Sequence, residues 1–533
     1  MRSCVTTIRI DGRDVQAADG TTLLQAARKL GINIPTLCSL DGSEPFTSCM
    51  LCVVEETAGG KLLPSCSAPA VEGMDVKTDS ESVRAARRAA LELLLAEHVG
   101  DCEAPCTLVC PLGIDVPEAL RRFEAGKIRE ALAKIRSATA FPGLVCRLCP
   151  APCEAACRRG KHDQAVSIRR LLQHIAEADF RDSDPALSAA SESKGQSVAV
   201  IGAGAAGLSA AYHLALKGYP CRLFEAEDTP GGALRGTASV DPSAGRNAGE
   251  LVERELDIYH KLGVRFESNT PVAEAGNLEE IVDSHEAVIV AAGPEIRPLL
   301  EAASIGIPQG TAAARGASRY QSSAVKVFAA GSLLEPGCSP VQALAQGKAA
   351  AACADQYLRG RAVTGPRRRF QSHIGRLLEG EISEFLEGAA DIPRVVPSGA
   401  GYTREEAAAE TSRCLQCDCG AKESCRLRDY AEEYEARGRR FRIGDRRRFR
   451  RIRQHPRITY EPGKCIKCGI CVRITARENE QLGLAFLNRG YDLQIGAPFG
   501  QLLSRALEHS AERCVRSCPT GALYFRRRRR KEA

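Results

Sequence analysis

The first residues of the chain alternate between apolar and polar side chains in the manner of a β-strand. The alternation covers residues 5–10, Asp11-Gly12 supplies a hairpin turn, and Thr22 with Gln25 forms a capping box for a helix that ends near Gly31. The pattern predicts strand, turn, strand and helix.

A second pattern of strand, glycine-rich turn, helix and strand lies in SVAVIGAGAAGLSAAYHLALKGYPCRLFEAE. Gly202, Gly204 and Gly207 have GxGxxG spacing, and Glu225 ends the second strand. The glycines let the backbone approach a pyrophosphate at the helix N-terminus, and the Glu225 carboxylate can accept hydrogen bonds from adenosine ribose hydroxyls. The segment predicts a Rossmann-like dinucleotide site.

Length and composition bound the rest of the chain. Its 533 residues predict several domains, because single hydrophobic cores stop growing well below this length. No apolar run approaches the roughly 20 residues that span a bilayer, and the start MRSCVTTIRI lacks a secretory signal, so we expect a cytoplasmic protein without a membrane span. In a reducing compartment, the 24 cysteines point to metal binding or redox chemistry.

The first cysteine group has the spacing C-x10-C-x2-C-x13-C and consists of Cys38, Cys49, Cys52 and Cys66. Four thiolates suit two irons, and zinc is the alternative. The segments GTTLLQAARKLGINIPTLC and EGMDVKTDSESVRAARRAALELLLAEHVGDC resemble the large iron-sulfur subunit of NADH:quinone oxidoreductase and related formate dehydrogenases. The resemblance implies a β-grasp 2Fe-2S ferredoxin domain over residues 1–80.

The second cysteine field consists of His98, Cys102, Cys106, Cys110, Cys146, Cys149, Cys153 and Cys157. The segments APCTLVCPLGIDVPEALRRFEAGKIREALAKI and CRLCPAPCEAACRRG resemble the N-terminal helical domain of the glutamate synthase small subunit and of dihydropyrimidine dehydrogenase. The resemblance implies a helical domain over residues 81–182 that holds two 4Fe-4S clusters.

The same resemblance implies how the ligands divide. Cys106 and Cys157 would share one cluster with Cys102, and the other cluster would take Cys110, Cys149 and Cys153. His98 is a candidate ligand, because complex I-like subunits place a histidine there; the alternative is an ordinary surface or core histidine.

The fourth ligand of the second helical cluster stays open. The family uses a Gln or Glu from the following helix, where this chain has Leu172 with Gln173 beside it. Cys146 could substitute, or the cluster could be absent.

Two further segments, AVIVAAG and VFAAGSLLEPG, together with Gly231-Gly232, resemble the FAD-contacting parts of glutamate synthase small-subunit flavoproteins. The resemblance implies FAD in a Rossmann-like domain over residues 196–360, with contacts from Gly232, Gly293, Gly331 and Ser332. Ser332 stands where the family usually has an aspartate.

The family inserts a second dinucleotide fold between these two segments, but only about thirty residues separate Gly293 from Val325. The sequence therefore has no recognisable NAD(P)H site, and FAD is expected to exchange electrons with clusters or a partner.

Two cysteine groups lie in the C-terminal third. Residues 411–430 contain Cys414, Cys417, Cys419 and Cys425, a set that suits a 4Fe-4S cluster or zinc. Residues 455–533 contain Cys465, Cys468, Cys471 and Cys518, three close ligands and one remote Cys-Pro cysteine, which is typical of a 4Fe-4S ferredoxin-like domain. This arrangement again resembles the complex I subunit.

Positive charge is concentrated in the same third, with eleven arginines between Arg437 and Arg457 and five more from Arg526 to Arg530. No nucleic-acid recognition motif accompanies them, so we expect a solvated face or an acidic protein partner rather than nucleic acid. Residues 361–410 are interpreted as a helical linker.

Together these features predict a multidomain α/β and α+β iron-sulfur flavoprotein. Its expected function is an electron-transfer subunit of a larger oxidoreductase, which relays electrons between FAD and 2Fe-2S or 4Fe-4S clusters, two to four of the latter, to or from other redox subunits or an acidic electron carrier. The alternatives are a self-sufficient NAD(P)H-dependent oxidoreductase of the glutamate synthase small-subunit type and a scaffold with structural clusters. No catalytic residue is predicted.

Overall fold

The computed structural model describes residues 5–177, 191–236, 248–272, 275–308, 319–366 and 369–526. Cys4, arginines 527–530 and part of the segment between Gly293 and Val325 lie outside these residues. The chain divides into two compact units. Unit 1 comprises Met1–Glu103, Arg369–Glu387 and Cys417–Arg528, and unit 2 is built mainly from Ala104–Arg368 and Gly388–Gln416.

The strands are β1 (Val5–Ile10), β2 (Arg13–Ala18), β3 (Val53–Glu56), β4 (Leu62–Pro64), β5 (Asp75–Lys77), β6 (Val198–Ile201), β7 (Cys221–Phe224), β8 (Arg265–Glu267), β9 (Ala287–Val290), β10 (Val327–Ala329), β11 (Ile458–Tyr460), β12 (Ala485–Leu487), β13 (Gln494–Gly496) and β14 (Leu523–Phe525).

The helices are α1 (Leu23–Lys29), α2 (Glu81–Ala96), α3 (Pro105–Leu108), α4 (Val116–Glu124), α5 (Ile128–Arg136), α6 (Pro142–Leu148), α7 (Pro152–Ala155), α8 (Ile168–Glu177), α9 (Ala205–Ala215), α10 (Ala248–Lys261), α11 (Ala275–Asp283), α12 (Arg297–Ala302), α13 (Pro340–Leu358), α14 (Ile382–Leu386), α15 (Arg404–Ser412), α16 (Arg426–Glu433), α17 (Ile470–Arg477), α18 (Leu503–Ala506) and α19 (Ala511–Ser517).

Unit 1 begins with a five-stranded sheet in the order β2-β1-β5-β3-β4. Strands β1 and β2 form the predicted hairpin, and both turn residues, Asp11 and Gly12, have positive φ. The predicted capping box is also confirmed: Thr22 Oγ1 accepts the Gln25 N–H, and the Gln25 side chain accepts the Thr22 N–H. Local sequence signals therefore fix the start of this unit.

The rest of unit 1 consists of two small antiparallel pairs, β11 with β14 and β12 with β13, and short helices around them. Helices α17 and α19 pack against each other, and α19 packs on β14. Helix α2 packs on β3 and on α16, which ties the N-terminal and C-terminal parts of this unit together. Buried Arg87 on α2 fastens the contact by donating to the Tyr434 hydroxyl and to the Leu51 and Val53 carbonyls.

Unit 2 contains a fully parallel sheet in the order β10-β9-β6-β7-β8. Strands β6 and β9 are buried along their whole length, as expected for a parallel sheet covered on both faces. Helices α9 and α13 pack closely, because Gly347 on α13 leaves room for the Ala206 carbonyl; a Cβ at Gly347 would lie 2.0 Å from that oxygen. The sheet and its helices form the predicted Rossmann-like fold.

Helices α3–α8 pack on this Rossmann-like part within unit 2. One hydrophobic cluster runs through both parts, from Leu112 and Phe141 to Tyr259 and Ala350. Helix α6 contacts both α10 and α13. Fixed packing in one core therefore sets the position of the cysteines of α3–α8 relative to the sheet.

The expected linker over residues 361–410 contains helices α14 and α15, and most of its remaining described residues are irregular. Its residues contribute to both units. In the part of the chain that the structure describes, no helix is both long and apolar enough to cross a membrane.

Candidate functional site

The first four predicted thiols come together in unit 1. Cys38, Cys49, Cys52 and Cys66 are all buried, on loops between α1 and β3 and after β4. Hydrogen bonding with the partner thiol lowers the pKa of Cys38 beside Cys49 and the pKa of Cys66 beside Cys52. Four converging thiols, two of them easily deprotonated, fit a thiolate-bound cluster.

The second thiol set of unit 1 lines one apolar cavity and consists of Cys465, Cys468, Cys471 and Cys518. The first three flank the start of α17, and the fourth follows α19. Lys467, in the left-handed region at φ 54°, turns the loop so that its N–H donates to Cys465 Sγ at 3.4 Å. The cavity walls supply a dry environment in which thiolates are stable only when they bind metal.

These two thiol sets are neighbours. Burial raises the pKa of Cys468 to about 12, and the thiols of Cys518, Cys465 and Cys38 add to the effect. Arg473 on α17 donates from one nitrogen to the Cys38 carbonyl at 2.6 Å and to the Cys468 carbonyl at 3.4 Å. A single guanidinium therefore holds a loop of each set.

The helical part of unit 2 brings Cys110, Cys149 and Cys153 together. Burial raises the pKa of Cys149 and of Cys153, and the nearby Cys110 thiol raises both further. Cys146 on α6 also lies beside Cys149 and Cys153, and burial raises its pKa strongly. Gln173 instead donates to Glu177 at 3.1 Å in a separate cleft.

Of the other helical-domain cysteines, Cys106 lies on α3, which packs on α7, and Cys157 ends the turn after α7. Both pack against the hydrophobic cluster of unit 2, as does Cys414. The boundary between the two units falls at Glu103, and the expected sharing of a cluster by Cys106 and Cys157 with Cys102 stays a prediction. The Cys102 carbonyl accepts the Cys419 N–H at 3.1 Å.

The boundary between the units falls within the set expected at residues 414–425. Cys414 belongs to unit 2, whereas Cys417, Cys419 and Cys425 belong to unit 1. Within the described ranges, no group of three or more His, Cys, Asp or Glu side chains is arranged to hold a single metal ion. The zinc expected as an alternative at this set therefore has no support in the geometry.

The predicted dinucleotide residues line one cleft of about 670 Å³ in unit 2, within the range of ligand sites; they are Gly202, Gly204, Glu225, Gly232, Gly293, Gly331 and Ser332. Gly207 packs beneath it, where a Cβ would lie 1.8 Å from the Gly202 carbonyl oxygen. At Gly204 a Cβ would meet nothing within 4 Å, so the first turn of α9 is open toward the cleft. This is the glycine cradle that a pyrophosphate requires.

Glu225 at the end of β7 is held in place for ribose recognition. Its two carboxylate oxygens accept the Ala203 N–H at 2.6 Å and the Glu227 N–H at 3.1 Å. Each oxygen keeps a further lone pair for a ligand hydroxyl. A carboxylate here favours ribose hydroxyls and repels a 2′-phosphate.

Sequence reasoning missed a buried charged network in unit 1. Glu461 accepts hydrogen bonds from Arg451 Nε and from the Tyr524 hydroxyl, each at 2.8 Å, and forms an ion pair with Lys464 Nζ at 2.6 Å. Lys464 Nζ also donates to Cys419 Sγ at 3.3 Å. The available signal was Lys464 directly before the KCIKCGIC cysteines, which composition alone does not distinguish from a surface lysine.

The arginine-rich stretch is only in part the expected solvated face, because Arg437, Arg439, Arg448, Arg450 and Arg457 are exposed and others are paired. Several of its guanidinium groups form ion pairs inside unit 1, and these pairs are Arg440–Glu92, Arg446–Glu381, Arg447–Glu97, Arg451–Glu461 and Arg453–Glu387. Glu92, Glu381 and Glu461 are each almost completely buried. The part of this charge that is paired with buried carboxylates therefore stabilises the fold.

Three family models match parts of the chain. Residues 3–81 match a 2Fe-2S iron-sulfur cluster binding domain, and residues 78–183 match dihydropyrimidine dehydrogenase domain II, 4Fe-4S cluster. Residues 200–266, which include the glycine cradle, match an NAD(P)-binding Rossmann-like domain. The matches confirm a multidomain α/β chain with 2Fe-2S, 4Fe-4S and dinucleotide-binding parts.

Curated relatives show the similarity expected from the motifs. The chain is 34% identical over 190 residues to the NADPH-Fe(3+) oxidoreductase subunit beta of Geobacter sulfurreducens, covering 36% of this chain and 28% of the relative. It is 34% identical over 211 residues to the NADP(+)-dependent formate dehydrogenase subunit beta of Moorella thermoacetica, covering 36% and 29%. It is 33% identical over 194 residues to the glutamate synthase [NADPH] small chain of Mycobacterium tuberculosis, covering 36% and 39%. The chain thus spans less than half the length of oxidoreductase subunits that it resembles.

Proposed function

We propose that this chain is an electron-transfer subunit of a larger oxidoreductase that relays electrons between FAD in unit 2 and iron-sulfur clusters in both units. FAD, when bound, exchanges two electrons, and each cluster passes one. Other redox subunits or an acidic electron carrier would supply or accept these electrons.

One observation carries this proposal. Helix α13 lines the dinucleotide cleft through Pro340 and Ala343, and two turns later its Lys348 donates to the Leu112 carbonyl at 2.7 Å. Leu112 lies two residues after Cys110. One helix therefore contacts both the dinucleotide cleft and the loop that follows Cys110, which supports transfer between a flavin in the cleft and a cluster at these thiols.

FAD is the dinucleotide that we assign to the cleft. The Glu225 carboxylate suits the adenosine ribose and opposes the 2′-phosphate of NADP. Gly231 and Gly232, with φ of 126° and 47°, form a second glycine turn against Gly204, which leaves room beside the first. The resemblance of this segment to FAD-contacting sequences points the same way.

The proposed clusters use the converging thiols. A 2Fe-2S cluster takes Cys38, Cys49, Cys52 and Cys66, and a 4Fe-4S cluster takes Cys465, Cys468, Cys471 and Cys518. In the helical part, a 4Fe-4S cluster takes Cys110, Cys149 and Cys153 with Cys146 as the fourth thiol. Cys106 and Cys157 remain candidates for a further cluster there.

The test is anaerobic purification of the whole chain, quantification of iron, sulfide and FAD, and addition of dithionite, NADH or NADPH. We expect dithionite to reduce the flavin and the clusters and neither nucleotide to do so. Clusters that resist dithionite would contradict a relay and favour a structural role.

A matched pair of variants assigns the flavin to the cleft. Gly204→Val places a side chain in open space at the start of α9, so we expect loss of FAD with iron unchanged. Gly195→Ala, where an added Cβ also meets nothing within 4 Å, should keep both. Retention of FAD by Gly204→Val would overturn the assignment.

A second candidate function is a self-sufficient NAD(P)H-dependent oxidoreductase. The match of residues 200–266 to an NAD(P)-binding Rossmann-like domain favours it. Bleaching of the flavin by NADH or NADPH in the isolated chain would establish this alternative and refute dependence on a partner.

A further inference from the structure

Three cysteines that the cluster assignments above leave out converge in unit 1. Cys102, Cys419 and Cys425 are each less than a tenth exposed, although more than three hundred residues separate the first from the second. The Cys419 N–H donates to the Cys102 carbonyl at 3.1 Å. The thiols of Cys102 and Cys419 also lie close enough to Cys425 to influence its ionisation.

Hydrogen-bond donors and positive charges surround these thiols. Lys464 Nζ donates to Cys419 Sγ at 3.3 Å, and the Ser372 N–H donates to Cys102 Sγ at 3.4 Å. The buried guanidinium of Arg428 acts on Cys102 as a further positive charge. Both cations also pair with carboxylates, Lys464 with Glu461 and Arg428 with Glu103, and hydrogen bonds and positive charge of this kind stabilise metal-bound thiolates.

His98 is the candidate for the fourth ligand, because Lys464 contacts both its cleft and Cys419. It is 8% exposed, and its Nδ1 has no hydrogen-bond partner among the described residues, which is costly for a buried polar atom. His98 lies against Gly463 and Lys464, the lysine that reaches Cys419. A metal bond would satisfy the imidazole nitrogen.

The three thiols adjoin the Cys465 set. Cys425 Sγ lies 3.8 Å from the Pro519 carbonyl oxygen, directly after the ligand candidate Cys518. The Cys465 set in turn neighbours Cys38 through Arg473. A cluster at Cys425 would therefore stand third in a row within unit 1.

We infer that Cys102, Cys419 and Cys425, with His98 as the fourth ligand, hold one more 4Fe-4S cluster in unit 1. The inference rests on the proposed iron-sulfur function and extends it. A 4Fe-4S cluster is favoured over zinc, since no group of described side chains has the compact geometry of a single-ion site. The Cys38 and Cys465 sets lack that geometry as well. The proposed ligands lie on two segments of unit 1, one that ends at Glu103 and one that begins at Cys417.

Iron and sulfide content of the anaerobically purified full chain test the ligands. The double variant Cys419→Ala/Cys425→Ala should lose about four irons and four sulfides per chain relative to the parent. Cys514→Ala removes a buried thiol of the same unit that has no assigned ligand role, and it should lose none. Full iron content in the double variant would overturn the inference.

A spectroscopic measurement stands beside the iron count, in case the double variant does not fold. Pulsed EPR of the dithionite-reduced parent, labelled with ¹⁵N-histidine, should show a nitrogen coupling on one cluster. His98→Cys should keep the iron and lose that coupling, and absence of the coupling in the parent would refute the histidine ligand. FAD content and flavin reduction report on the proposed function separately, because the variants change only unit 1.

Discussion

Buried cations contact the thiol loops of unit 1 more directly than those of unit 2. In unit 1, Lys464 donates to Cys419, and Arg473 donates to the carbonyls of Cys38 and Cys468. In unit 2, Cys146 and its neighbours pack against one large apolar cluster. One chain therefore provides two different electrostatic environments for the same kind of thiol set.

The difference has a direct consequence for reduction. Adding an electron to a buried cluster adds negative charge, which nearby cations stabilise and an apolar environment opposes. We therefore expect the clusters of unit 1 to have higher reduction potentials than those of unit 2.

The largest expected effect tests whether the two environments are independent. Gly347→Val forces a side chain into the α9–α13 contact, where a Cβ already falls 2.0 Å from the Ala206 carbonyl oxygen, and should destabilise unit 2 by about 3 kcal/mol. FAD should be lost while the EPR signal of the unit 1 clusters persists. Gly276→Ala, in open space on α11, is the control that should keep FAD. Loss of both sets of signals would show that the units depend on each other.

The charged network of unit 1 gives the next effect. Lys464→Met removes one partner of buried Glu461, which Arg451 and Tyr524 still contact, so we expect a loss of about 2–3 kcal/mol. The potential of the cluster next to Cys419 should also fall. Thermal unfolding and an EPR-monitored redox titration measure the two effects. Arg505→Met removes an exposed pair with Glu508 and should change neither by more than about 0.5 kcal/mol.

Local sequence signals were enough to predict part of the structure. The hairpin at Asp11-Gly12 and the Thr22 capping box depend on neighbouring residues, and the structure confirms both. The Cys465 group is also largely local, because three of its four thiols lie within seven residues. Spacing along the chain carries such information directly.

Other features depend on contacts between residues that lie far apart in the sequence. The resemblance to the helical 4Fe-4S domain groups Cys102 with Cys106, whereas no local signal indicates the contact of Cys102 with Cys419, more than three hundred residues later. Composition likewise could not show that Arg446 and Arg451 pair with buried carboxylates. Periodicity reports burial and local structure, and it does not identify a tertiary partner.

A smaller effect concerns the buried cation of unit 2. Burial lowers the pKa of Lys348 to about 8, and Cys110 opposes this shift, so the ammonium is largely charged at pH 7. Lys348→Met should lower the reduction potential of the cluster at Cys110 by about 40 mV for one electron, which corresponds to roughly 1 kcal/mol. Lys217→Met removes a more exposed lysine of the same unit and should leave the potential unchanged. An unchanged potential in Lys348→Met would show that this cation does not affect the cluster at Cys110.

The smallest effect concerns a surface ion pair of unit 2, which contrasts with the buried pairs of unit 1. Burial would raise the pKa of Glu118 on α4, but Arg122 and Arg121 outweigh it and lower that pKa to about 2. An ordinary glutamate has a pKa near 4.3, so this stabilisation is complete above about pH 4.3 and is lost only as the pH falls toward about 2. Solvent screening limits it to about 1 kcal/mol. Glu118→Gln should therefore lower the Tm by a few degrees at most, and by the same amount at pH 6 and at pH 8. A difference that changes between these two pH values would show that a second titrating group acts on α4.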